Sequence, residues 1–486
     1  MMWNFNIQCW IFGIILLCPT IPAKKPPLAQ FFPDAVPLDK SRGDPGDPLY
    51  LTPYIKSGNI AEGQKLAKVE GLSQVVSYSG LLTVNASCNS NMFFWFFPAA
   101  YSPETAPVIL WLQGGPGGSS MFGLFVEHGP FSVDKNMNLQ FRPEAWSLTN
   151  SMLYIDNPVG TGFSFTQNDY CYANNQQDVA RDLYEGLSQF FLLFPQHRER
   201  DFYVTGESYA GKYVPAISYK IHMENPTAKV RINLKGLAIG DGLCDPIHML
   251  DYGNFLYEIG LADKHGRQLL HSKAAEAKDA IHRGDWHEAT RLFDIVSSEY
   301  FEKTTGLSFY YNFLLQDEPV EFEYYAKFFS LPDVRKSIHT GSIVFGEEGK
   351  VYEHLYDDIM KSVKPWLEVL MDYYKVMIYS GQLDVIIPFP TTEAFLDTLK
   401  WSGQEKYKLE KRKIWYVEGE VAGYSKEVGN FTQLLVRNAG HILPYDQPKW
   451  AFDMINRFVS GKSFGAGQQS KKKPKTKKIT HKLYKH

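Results

Sequence analysis

The stretch from Phe202 to Met223 constrains the fold of this chain more than any other. Phe202-Tyr-Val-Thr205 has the content of a strand, Gly206-Glu-Ser-Tyr-Ala-Gly211 is a tight turn, and a helical pattern follows. A strand that passes so abruptly into a helix belongs to a parallel sheet covered by helices. The neighbouring segments repeat the alternation. Val108–Leu112 and Met152–Asp156 are apolar runs of the kind buried on both faces. The first ends in Gln-Gly-Gly-Pro and the second in Asn-Pro-Val-Gly-Thr-Gly. Asp178 to Phe194 carries apolar residues at helical spacing, and Leu234–Ile239 is the next strand. The alternation then stops. From about Asp241 to Lys350 the chain reads as polar helices, such as Lys273-Ala-Ala-Glu-Ala-Lys-Asp-Ala280. Strands resume at Val376–Tyr379, Ile414–Val417 and Leu434–Val436, each near a plausible helix. Such an interruption predicts a helical insertion between two strands of one sheet.

Composition supports a packed body with two unlike ends. At 44% hydrophobic and 15% aromatic, the 486 residues exclude a mostly disordered chain. The formal charge of −3 hides an asymmetry: eight of the 50 Lys and Arg fall between Lys471 and His486, where no acid occurs, leaving 42 against 53 elsewhere. An acidic body argues against nucleic acid as a partner, and the basic tail is a candidate contact for polyanions. At the other end, Ile7–Leu17 is an uncharged apolar run followed by Pro19 and Ala23. It has the length of a signal-peptide core and falls short of the ~20 residues needed to span a bilayer. Residues 1–23 are therefore expected to be a signal peptide, and no stable membrane span is expected. Secretion would leave Cys88, Cys171 and Cys244, an odd number, so at least one thiol stays free or bonds another chain. It would also make the sequons at Asn85 and Asn430 candidate glycosylation sites.

Ser208 lies where a strand–turn–helix presents a hydroxyl above a sheet, in a G-x-S-x-G pattern with Ala210 in the last place. A serine hydroxyl needs a base, and the base needs an orienting carboxylate. Asp384 follows the Val376–Tyr379 strand through Ser-Gly-Gln-Leu, and His441 follows Leu434–Val436 through Arg-Asn-Ala-Gly. The order Ser, Asp, His, each beyond a strand, is that of α/β-hydrolases. The expected architecture is an α/β-hydrolase fold: a mostly parallel central sheet flanked by helices, with a helical cap insertion. Residues 24–55 would form an N-terminal arm, 56–240 and 351–460 the two parts of the core, 241–350 the cap, and 461–486 a disordered Lys-rich tail. An oxyanion hole would use the Tyr209 N–H and a second from the Gln113–Gly118 turn. Gly206–Lys212 also spells the start of a phosphate-binding loop, but Tyr213 replaces the Ser or Thr that would hold magnesium. No cofactor and no metal ligand set is expected.

Trp111-Leu-Gln-Gly-Gly-Pro-Gly117, Asp156-Asn-Pro-Val-Gly-Thr-Gly-Phe-Ser164, Gly206–Gly211 and Gly440-His-Ile-Leu-Pro-Tyr-Asp-Gln-Pro448 together resemble the serine carboxypeptidases, and agreement runs from about residue 50 to 460. Gln-Gly-Gly-Pro-Gly-Gly-Ser-Ser is similar to the vitellogenic-like branch of that family. The resemblance implies a secreted or lysosomal exopeptidase acting on peptide or protein C-termini. It implies Ser208 as nucleophile, His441 as base, Asp384 as orienter, and Gly115 with Tyr209 as oxyanion donors. Gln113, with the adjacent Gly114, and Glu207 would bind the substrate carboxylate, with Glu127 in the same network. A protonated Glu207 could donate to that carboxylate, so activity is expected to be best at mildly acidic pH. Gln113 departs from the family's usual Asn, and Gly118 stands where many members have Cys. An esterase or acyltransferase on the same triad, or a protective binding partner with secondary catalysis, are the alternatives. A homodimer is left open.

Overall fold

The computed structural model describes residues 37–346 and 349–465. The expected signal peptide and the run from Lys471 to His486 lie outside them. The strands are β1 (Tyr78–Asn85), β2 (Ser90–Phe97), β3 (Val108–Leu112), β4 (Phe131–Val133), β5 (Leu139–Phe141), β6 (Ser151–Ile155), β7 (Phe202–Glu207), β8 (Leu234–Gly240), β9 (Lys375–Gly381), β10 (Lys413–Val417), β11 (Glu420–Val428) and β12 (Phe431–Val436). Ten of them form one sheet in the order β1-β2-β6-β3-β7-β8-β9-β12-β11-β10, while β4 and β5 pair separately. The six strands from β6 to β12 in this order run parallel, and antiparallel pairs close both edges. The fold is that of an α/β-hydrolase.

Burial explains the strand sequences. Every residue of β2, β3, β6 and β7 is buried, as a sheet with helices on its faces requires. The helix Gln176–Leu193 begins where the Asn175 side chain accepts from the Asp178 N–H. It buries Val179, Leu183, Leu187, Phe190 and Phe191. The Phe190 ring meets Phe94 and Phe96 of β2 edge-on, at 5.9 and 5.0 Å.

Between β8 and β9 the described chain adds no strand to the sheet. The Lys264–Arg283 helix is capped by Asp263, buries Leu270, Ala274, Ala277 and Ala280, and stops at left-handed Gly284. Asp285 then caps Trp286–Asp294. Small alanines let the two helices pack despite their polar surfaces.

The structure differs from the sequence reading in three places. Beyond β9 the strands at 414 and 434 do not alternate with helices but belong to the antiparallel meander β10–β11–β12. The Pro- and Gly-rich arm expected over residues 24–55 ends in regular structure, because Thr52–Lys56 is a helix with Pro53 in its first turn. The fold also continues past 460. Gly461 ends the last helix in the left-handed conformation, Phe464 packs edge-on to Trp415 at 5.4 Å, and Ser463 and Gly465 donate to Glu427. Cys88 and Cys171, 83 residues apart, form a disulfide that ties the β1–β2 turn to the loop after β6, and Cys244 is a buried free thiol.

Candidate active site

The carboxyl ends of the parallel strands share one edge, the usual location of ligand sites in open α/β sheets. Gln113 follows β3, Asp156 follows β6, Ser208 follows β7 and Asp241 follows β8; Asp384 and His441 stand a few residues beyond β9 and β12. Ser208 sits on the tight turn with φ +61°, a conformation an L-residue rarely adopts. Its N–H donates to Gly240 O (2.9 Å), and its carbonyl accepts from Gly211 N and Leu243 N (2.9 and 3.0 Å). The turn demands glycine at 206, where a Cβ would stand 2.5 Å from Leu112 O. Ala210 is fully buried, so its methyl is accommodated inside the turn.

Ser208, Asp384 and His441 are all buried. His441 Nδ1 lies 2.8 Å from Asp384 Oδ2. Asp384 also accepts from Ile386 N at Oδ1 (2.9 Å) and Ile387 N at Oδ2 (3.3 Å). With a carboxylate accepting at Nδ1, the imidazole carries its proton there and presents a basic Nε2. Ser208 Oγ and His441 Nε2 have no hydrogen-bond partner within the described chain. Tyr311, which sequence reasoning missed, lies with its ring centroid 4.6 Å from that of His441, and its carbonyl accepts the His441 N–H (2.6 Å). The histidine is thus held from the helical insertion as well as from the sheet.

The Gln113–Gly118 turn lies against the serine turn. Gly118 N donates to Gly114 O (2.9 Å), whereas the N–H groups of Gly115 and Tyr209 donate to nothing in the described chain. Asp156 anchors the turn from below, accepting from Ser119 Oγ (2.6 Å), Ser120 N (3.1 Å) and Phe163 N (2.8 Å). A Cβ on Gly114 would stand 2.6 Å from Tyr209 N and 2.7 Å from Ser208 Cβ. Gly114→Ala is therefore expected to push the two turns apart and, if the sequence expectation of an oxyanion donor in this turn holds, to lower kcat by roughly 10²–10³. Steady-state kinetics beside a thermal melt checks this; unchanged kcat would contradict it.

Three more side chains meet next to Ser208. Trp111 Nε1 donates to Gln113 Oε1 (2.9 Å), and because an indole only donates, the amide is oriented with Nε2 toward Glu207 Oε1 (2.7 Å). Gln113, Glu127 and Glu207 are buried. Glu127 lies in the π-helical turn Gly123–His128, which Arg142 braces by donating to the carbonyls of Phe125 and Gly129 (2.8 and 2.7 Å). Burial pushes the Glu207 carboxyl far above its ordinary value, and the charges of Glu127 and Asp241 add to the shift. Burial likewise raises Glu127, only partly offset by Glu207, Gln113 and Arg142. Two buried carboxyls so coupled hold at least one proton between them at mildly acidic pH.

The family profile described as serine carboxypeptidase matches residues 68–461. The chain belongs to the serine carboxypeptidase family. Membership makes it a hydrolase of the exopeptidase class. A probable serine carboxypeptidase, CPVL of Homo sapiens, is 52% identical over 437 residues, covering 87% of this chain and 92% of that one. The vitellogenic carboxypeptidase of Aedes aegypti is 46% identical over 429 residues, covering 86% and 91%. Among solved structures, a prohormone-processing carboxypeptidase from Saccharomyces cerevisiae matches with a TM-score of 0.74 at 27% identity, covering 82% of this chain and 96% of that one.

The remaining sequence candidates separate by exposure. Asn430 is exposed in the tight β11–β12 turn, whereas Asn85 is half-buried and its carboxamide is engaged by Ser87 and Cys88. Lys212, the lysine of the apparent phosphate loop, is fully buried, bonding the carbonyls of Asp358 and Ile359 and lying 3.3 Å from the Asp358 carboxylate. It joins the helix after Ser208 to the end of the insertion and faces no solvent. Among the described residues no helix is long and apolar enough to cross a membrane.

Proposed function

We propose that this serine carboxypeptidase cleaves the last peptide bond of peptides and proteins through an acyl-enzyme on Ser208, and grips the terminal carboxylate through the Glu127–Glu207 pair. The observation that carries the reading is the contact of Glu207 with Gln113, beside a Gly114 that lies against the serine turn. Ser208 Oγ attacks the scissile carbonyl while His441 Nε2 takes its proton, and Asp384 holds the imidazole in the required tautomer. The unengaged N–H groups of Gly115 and Tyr209 receive the developing oxyanion. His441 then protonates the leaving amine, and water deacylates the serine by the same route. The free Ser208 Oγ and His441 Nε2 fit a pair whose hydrogen bond tightens when substrate arrives.

An anionic Glu207 would repel a terminal carboxylate, but a protonated one donates to it. The raised pKa keeps the acid form well above the ordinary carboxyl range, and the acid is lost as pH rises through that raised value. KM for free-acid peptides is therefore expected to be lowest at mildly acidic pH and to rise toward alkaline pH. Glu207→Gln should flatten that rise. KM measured against pH for both enzymes tests the reading; a pH-independent wild-type KM would overturn it.

The same reading places the protein in the secretory pathway, secreted or lysosomal. The Cys88–Cys171 disulfide suits an oxidising compartment, and the exposed Asn430 sequon suits glycosylation.

A further inference from the structure

Asp241 follows the last residue of β8 and is fully buried. Its N–H donates to Tyr379 O (2.8 Å), and the carbonyl of the preceding Gly240 accepts the Ser208 N–H. Its φ of +41° is uncommon for aspartate, so these contacts hold a strained backbone. Asp241 Oδ1 accepts from Gly381 N (2.8 Å), while the buried Oδ2 accepts from no donor among the described residues. Single polar atoms of Asp241, Asp384 and His441 all lie within 4.8 Å of one another.

Two carboxyls this close and fully buried disfavour a second negative charge. Asp384 accepts from three donors, Ile386 N, Ile387 N and His441 Nδ1, and Asp241 from one. Of the two, Asp241 is the one with fewer donors and the place for a proton.

We propose that Asp241 is a positioning residue for the triad: its Oδ2–H donates a hydrogen bond to Asp384 and fixes the carboxylate that orients His441. The inference rests on the triad reading above. The titratable groups facing Asp241 are Asp384, His441, Glu207 at the end of β7, Asp446 beyond His441 and Tyr379 of β9. Burial, followed by the charge of Asp384, drives its carboxyl far above the ordinary range, in agreement with that geometry. A neutral Asp241 also adds no negative charge between the triad and a site that must admit a peptide carboxylate.

Asp241→Asn and Asp241→Leu separate a donor from an anion and from a mere filler. Ser208-dependent activity of the wild type is established first, so that failure of the triad reading is recognised as such. Asn offers Nδ2–H to Asp384 and Oδ1 to Gly381 N. It should keep kcat/KM within about threefold and leave the acid limb of the kcat/KM pH profile in place. Leu should lower kcat roughly ten- to a hundredfold, with KM within about twofold, because Asp384 loses a buried charged hydrogen bond. Three results would overturn the proposal: an Asn variant as impaired as the Leu variant, a fully active Leu variant, or an acid limb moved by about one pH unit in Asp241→Asn. Should the Leu variant fail to fold, infrared difference spectra decide. The wild-type minus Asp241→Asn difference spectrum at neutral pH must contain a protonated-carboxyl C=O band over and above those of Glu127 and Glu207, which cancel, and its absence would refute the protonated donor.

Discussion

Ser208→Ala is expected to lower kcat by about 10⁶ while leaving KM close to the wild-type value. The substitution removes only Oγ, an atom without a hydrogen-bond partner in the described chain, so no buried donor or acceptor is orphaned and the fold loses little. The N–H groups of Gly115 and Tyr209, proposed to receive the oxyanion, remain with Gln113 and the proposed Glu127–Glu207 carboxylate grip, so substrate is expected still to bind and be polarised. A residual rate of roughly 10³–10⁴ over the uncatalysed reaction is therefore expected from those groups alone. Steady-state kinetics on an N-blocked peptide, with the melting temperature measured on the same preparation, checks both halves. A variant that keeps more than about one per cent of kcat would remove Ser208 from the role of nucleophile.

Asp384→Asn should cost about 10⁴ in kcat, again with little change in KM. The carboxylate accepts from Ile386 N, Ile387 N and His441 Nδ1, and an amide cannot accept at both ends. If its oxygen stays with Ile386 N, its NH₂ faces Nδ1 as well as the Ile387 N–H, and drives the imidazole into the tautomer with the proton on Nε2. That nitrogen can then no longer take the Ser208 proton. If the oxygen turns to His441 and Ile387 N instead, the Ile386 N–H is left unpaired; either way one buried backbone donor loses its acceptor, and the loss appears in the thermal melt as well. Retention of activity within about tenfold would show that the tautomer is set elsewhere.

The two roles differ in how plainly the chain announces them. The serine turn is local: strand, glycine-bounded turn and helix lie within about 20 consecutive residues, so Gly206–Gly211 is legible without any knowledge of distant partners. Asp384 and His441 are legible because each ends a strand in the expected order. Asp241 is not, since it is one of 53 acids and meets Asp384 only once β8 and β9 lie side by side. Tyr311 is hidden for the same reason, coming from the insertion to face a histidine 130 residues later. Glu127 is reachable by resemblance alone, because a buried acid in a π-helical turn leaves no periodic signal. Strand β11 escapes because Lys426 and Glu427 interrupt its apolar alternation on the half-exposed side of the meander. The disulfide could not be assigned because three cysteines allow three pairings.

The proposed site recognises a free C-terminal carboxylate beside a serine nucleophile. A matched pair of N-blocked peptides, identical but for a free acid or an amide at the C-terminus, tests it most directly at mildly acidic pH. Ser208-dependent release of the last residue is expected from the acid. The amide should react with kcat/KM lower by roughly a hundredfold, the loss of charge-assisted hydrogen bonds to the acid pair. Equal turnover of acid and amide would contradict the account.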